Sequence, residues 1–105
     1  MRDLAELQKK AQEIRAEYDE LNANDGHGKW NGLDYTAGFV GAAGDLMKLV
    51  MAKEGKRRGP VDVVAALRHE LGDCLWSILV IANHYDIDLE AAFRKTMAEL
   101  EERLA

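Results

Sequence analysis

An all-α fold of four helices is the architecture this sequence predicts, and three observations predict it. Apolar residues recur at steps of three and four through most of the chain. Alternation of period two is never sustained, and the β-branched residues fall on helical faces. The single proline, Pro60, directly after Gly59, and a scatter of nine glycines punctuate the chain. A chain of 105 residues has room for one hydrophobic core, so residues 1–105 read as a single domain.

Each element has its own signal. Leu4, Leu7, Ala11, Ile14, Tyr18 and Leu21 form one apolar stripe, which predicts a first helix over residues 3–21. Residues 22–32 gather Asn, Asp, Gly and His and read as a loop containing Trp30. The second helix is expected over residues 33–54, with Gly55 in the C-terminal cap role. After Gly59 and Pro60 the third is expected over residues 61–85. A short turn over 86–88 follows, where Asp88 caps a fourth helix carrying Leu89, Phe93, Met97, Leu100 and Leu104 on one stripe. Stripes this continuous leave more apolar face than one small bundle covers, which predicts a homo-oligomer.

Composition narrows the function. The chain is 48% hydrophobic and 31% charged, which excludes a disordered tail or a collagen-like repeat. Its longest apolar stretch, residues 75–82, is broken by Ser77 and falls far short of the roughly 20 residues of a membrane span. The first residues carry charge and no apolar signal core, and Cys74 is the sole cysteine, so a reducing cytoplasmic setting is expected. A net charge of −5 argues against general nucleic-acid binding. The local exception is Lys53, Lys56, Arg57 and Arg58, opposed only by Glu54.

Acids on apolar helices are the candidate chemistry. Asp45 ends an uncharged run from Phe39, while Glu70 and Asp73 lie three apart among Leu67, Leu71, Cys74 and Leu75. Side chains at i and i+3 are neighbours, and like charges so placed repel. If the second and third helices pack antiparallel about the turn near Arg57 and Arg58, Asp45 faces Glu70, Ala42 faces Asp73, and Gly44 lies nearly opposite Gly72. Gly38, Gly41 and Gly44 each cost about 1 kcal/mol relative to alanine within a helix, which close helix approach would recover. Three converging carboxylates describe a hard-cation site, and magnesium suits them because it favours oxygen ligands. The competing reading is of solvated acids, with Asp45 paired to Lys48.

The runs Val40-Gly41-Ala42-Ala43-Gly44-Asp45-Leu46 and Glu70-Leu71-Gly72-Asp73-Cys74-Leu75, joined by a basic loop and followed by Asp88-Leu89-Glu90-Ala91-Ala92-Phe93, resemble the MazG-like all-α nucleotide pyrophosphohydrolases. The resemblance implies a four-helix, MazG-like bundle completed by dimer or tetramer formation. It implies hydrolysis of a nucleoside or deoxynucleoside triphosphate to monophosphate and pyrophosphate, with Mg2+ (or Mn2+) as cofactor. In that family the first motif reads Glu-x-x-Glu, often with a preceding Glu, and the second Glu-x-x-Asp. Carried over, the metal ligands are Asp45, Glu70 and Asp73, with Glu70 and Asp73 also catalytic. Ala42 stands where a further acid belongs, so activity is expected to be weakened, and the alternative is a catalytically inactive nucleotide-binding or structural bundle.

Substrate contacts are expected from Lys48, one turn beyond Asp45, and from Lys53, Arg57 and Arg58 for the distal phosphates. The alternative for Lys48 is an ion pair with Asp45. Trp30 resembles the aromatic that the family places near the base, against a second reading as a lid on the core. Trp76 is expected in the core, Cys74 as a buried thiol, and His27, His69 and His84 outside the chemistry. Asn83 is not assigned to the site.

Overall fold

Hydrogen-bonded caps fix where each helix begins and ends. The computed structural model describes residues 3–26 and 28–105. Within them lie four helices, α1 (Leu4–Asn24), α2 (Gly32–Lys53), α3 (Val63–His84) and α4 (Leu89–Leu104), and no strand. The all-α expectation therefore holds. His27 and the first two residues lie outside the described residues.

Asp3 starts α1 by accepting the Glu6 N–H at 2.9 Å. The helix runs past Leu21 to Asn24, since the Asp25 N–H still reaches the Leu21 carbonyl at 3.0 Å and Gly26, at φ +82°, closes it. Asn31 and Asp34 form a reciprocal capping box at the head of α2, with bonds of 2.8 and 2.9 Å. Asp62, which the sequence reading passed over, heads α3 by accepting the Ala65 N–H at 3.1 Å. Asp88 caps α4 as expected, accepting the Ala91 N–H at 3.1 Å.

Backbone contacts divide the chain into two compact units, one of Met1–Lys29 with Leu79–Ala105 and one of Trp30–Ile78. The first holds α1, the end of α3 and α4, and its buried apolar residues are Ala11, Leu79, Val80 and Ala82. Here α1 packs against α4. Only part of the first apolar stripe is covered, because Tyr18 and Leu21 remain more than half exposed. In the second unit, Ala42 and Cys74 are buried while Leu33, Val40, Met47 and Leu71 are exposed.

One side chain ties the first unit together. Gln8 on α1 donates from Nε2 to the Ile87 carbonyl at 2.7 Å and accepts from the Leu89 N–H at 3.3 Å, and the Asn83 amide donates to the Gln8 carbonyl at 2.9 Å. These bonds hold the turn between α3 and α4 against α1. That turn is left-handed at Asp86, φ +53°, with the Ile87 N–H on the Ala82 carbonyl at 2.8 Å and the Asp86 N–H on the Asn83 carbonyl at 3.2 Å. The pattern is a Schellman cap, in which glycine is the unstrained residue.

Asp86→Gly should therefore stabilise the fold by about 1 kcal/mol, and Gln8→Ala should cost about 1–2 kcal/mol by removing two hydrogen bonds. Urea unfolding checks both. A neutral Gln8→Ala would contradict its role in holding the turn.

Candidate functional site

The carboxylates singled out from sequence fall within the second unit, on α2 and the first part of α3. Asp45 is exposed on α2, Asp73 is exposed on α3, and Glu70, one turn before Asp73, is half-buried. Cys74 is buried at 7% exposure. Its thiol is pushed up from the ordinary value, first by burial and then by the charges of Glu70, Asp73 and Asp45 in that order. A group on α3 thus feels acids carried on both helices.

No cationic side chain among the described residues pairs with these acids. The ion pairs among the described residues are Lys10–Glu13, Arg15–Asp19 and Arg94–Glu90, all on α1 or α4. Asp45, Glu70 and Asp73 make neither an ion pair nor a hydrogen bond from their side chains among the described residues, and the alternative pairing of Asp45 with Lys48 is absent. Their hard oxygen donors fit a divalent cation in chemical character. In the single chain, however, no three His, Cys, Asp or Glu side chains among the described residues stand close enough to enclose an ion. The acids share a neighbourhood without forming a finished cage.

The glycine expectation needs correction. A Cβ built at Gly38, Gly41, Gly44 or Gly72 would meet nothing within 4 Å, so these glycines do not mediate close approach of α2 and α3 within the chain. All four lie on open surface. The glycine that close contact does require is Gly59, where a Cβ would stand 2.5 Å from the Ala52 Cβ. In the sequence the Gly-Pro pair marks only punctuation, and no local pattern announces its return onto α2.

Other assignments resolve in the same way. Trp30 is 50% exposed, so it is not a lid on the core; it precedes the Asn31 cap and tilts against Tyr35 with ring centroids 5.8 Å apart. That is the position of a hydrophobic staple. Trp76 is half-buried, and His69 is exposed. His84 is half-buried and stands edge-on to Tyr85 at 4.9 Å. Ala42 is buried, so a longer acid in its place would have to reach past its neighbours. Lys48, Lys53, Arg57 and Arg58 are all exposed, with no ion pair among the described residues.

The raised thiol gives a direct check on the acids. Thiolate absorbance followed against pH should show Cys74 ionising above the ordinary cysteine range, and Glu70→Gln or Asp73→Asn should each bring it down. Because the folded value exceeds the unfolded one, the thiol's contribution to stability is full below the unfolded pKa and is lost as pH rises through the folded pKa. Ionisation at the ordinary value would contradict the burial of the thiol beside these acids.

No helix of the described residues is long and apolar enough to cross a membrane. A model of the MazG nucleotide pyrophosphohydrolase domain matches residues 43–104, which takes in Asp45, Lys48, the basic turn, Glu70 and Asp73 and begins just after Ala42. No curated protein and no solved structure matches the chain at a significant level. With more than half of its length matched, on the helices that carry the paired acids, the chain belongs to the MazG nucleotide pyrophosphohydrolase domain family.

Proposed function

We propose that this chain is a divalent-metal-dependent nucleoside triphosphate pyrophosphohydrolase, releasing a nucleoside monophosphate and pyrophosphate. The observation that carries the reading is the set Asp45, Glu70 and Asp73, three carboxylates with no cation against them inside the family-matched segment. We propose further that residues 1–105 act as one helical domain and that the domain self-associates as a dimer or tetramer. The exposed Leu33, Val40 and Met47 of α2 and Leu71, Leu75 and Ile78 of α3 support that association.

Magnesium or manganese, when bound, supplies Lewis-acid polarisation of phosphate oxygens and acidifies a coordinated water. Asp45, Glu70 and Asp73 are the residues that would hold it. Glu70 and Asp73, one turn apart, also orient the water that attacks the α-phosphorus. The Lys48 ammonium, free of Asp45, offsets charge on the phosphate oxygens as pyrophosphate leaves. Lys53, Arg57 and Arg58 serve the distal phosphates. Trp30 offers an indole face to the base, and its half exposure and its seat on Tyr35 support that role.

Ala42 favours a second reading, a nucleotide-binding or structural bundle without turnover, because an acid is missing where the family carries one. The experiment is pyrophosphate release from a panel of nucleoside triphosphates with magnesium or manganese. Glu70→Gln and Asp73→Asn should each reduce turnover at least tenfold, equivalent to about 1.4 kcal/mol in the barrier. Asp45→Asn should cost less, and Ala42→Glu should raise the rate. Full turnover in both amide variants would place the metal elsewhere, while silence across the panel, with no rescue by Ala42→Glu, would select the second reading.

A further inference from the structure

The segment that leads into α2 sets Asn31 directly before Gly32, and of the four asparagines in the chain it is the one followed by glycine. Asn22 precedes Ala23, Asn24 precedes Asp25 and Asn83 precedes His84. The difference is chemical. The backbone nitrogen of the following residue is placed to attack an asparagine Cγ, and a side chain on that residue obstructs the approach. Glycine carries none.

The head of α2 leaves that nitrogen uncommitted. Gly32 is the first residue of the helix, so its N–H has no carbonyl one turn back, and it makes no hydrogen bond among the described residues. At the Asp25-Gly26 step, by contrast, the Gly26 N–H is engaged on the Ala23 carbonyl at 3.2 Å. Asn31 is exposed, which lets a leaving group escape to solvent. The capping box works against the reaction. Asn31 is extended at ψ −178°, its Oδ1 accepts the Asp34 N–H at 2.9 Å, and its own N–H donates to the Asp34 carboxylate at 2.8 Å. Gly32 is itself buried. Closing a five-membered ring requires Asn31 to rotate out of that ψ and water to reach the Gly32 nitrogen, so the box has to open first.

We propose that Asn31 is a site of spontaneous deamidation, gated by its capping box with Asp34. The bond from the Gly32 nitrogen to the Asn31 Cγ forms, the Cγ–Nδ2 bond breaks, and the Gly32 amide proton leaves with the side-chain amide as ammonia. Water then opens the cyclic imide at either carbonyl, leaving an aspartyl or an isoaspartyl linkage before Gly32. The two products act differently on α2. An aspartyl carboxylate caps as well as the asparagine and brings negative charge where the helix dipole favours it. An isoaspartyl linkage adds a methylene to the main chain, which breaks the box and the bond from the Tyr35 N–H to the Asn31 carbonyl at 3.1 Å. Trp30, whose ring centroid lies 5.8 Å from that of Tyr35, then loses its seat. None of this depends on the nucleotide reading.

Timed peptide mapping by mass spectrometry, on the full folded chain held at mildly alkaline pH, tests the proposal. Conversion of amide to acid should appear at Asn31 at least tenfold faster than at Asn22, Asn24 or Asn83, with aspartyl and isoaspartyl products both present. Gly32→Ala should slow it at least tenfold. Asp34→Ala should speed conversion at Asn31 at least threefold relative to Asn83 in the same molecules, a ratio that separates opening of the box from general loosening of the fold. Conversion at Asn31 no faster than at the other asparagines would overturn the proposal. So would undiminished conversion in Gly32→Ala, or an Asp34→Ala ratio equal to that of wild type.

Discussion

Glu70 and Asp73 stand one helical turn apart on α3, and like charges at that spacing work against the helix that carries them. Asp45 brings a third negative charge into the neighbourhood, and the buried Cys74 thiol registers all three. Elsewhere Lys10 pairs with Glu13, Arg15 with Asp19 and Arg94 with Glu90. Lys48 is within a turn of Asp45 and still does not pair with it. Uncompensated carboxylate charge is therefore the constraint around which this region is built. No cationic side chain among the described residues pairs with these acids, and the divalent cation proposed above would relieve the charge.

The same region is underpacked for its apolar content. Ala42 and Cys74 are buried in the second unit, yet Leu33 is 80% exposed, Val40 63% and Met47 60%. The open glycines of α2 add bare backbone to that surface. The proposed self-association would draw on this exposed face of α2.

Much of the fold was legible because helices announce themselves through period and caps. Asp88 at the head of α4 and Gly55 at the end of α2 were readable from residue type alone. Helix ends set by competing signals were less so. The Asn-rich stretch after Leu21 extends α1, and Asp62, rather than the residue after Pro60, opens α3. The candidate acids were legible because charge on an apolar helix is conspicuous. The tie through Gln8, the staple between Trp30 and Tyr35 and the seat of Gly59 on Ala52 were not. Each depends on which backbone atoms the chain brings together, and a glutamine on an exposed face or a glycine before proline carries no such information by itself.

Whether a cation answers the charge of Asp45, Glu70 and Asp73 can be measured without turnover, by thermal denaturation across a magnesium titration, with and without nucleotide. A ligand at 100 times its dissociation constant adds about 2.7 kcal/mol to the folded state. A site short of one acid should show its rise in melting temperature only at millimolar magnesium, and Asp73→Asn should abolish that rise. A melting temperature that stays constant through saturating magnesium, nucleotide present or absent, would contradict the account.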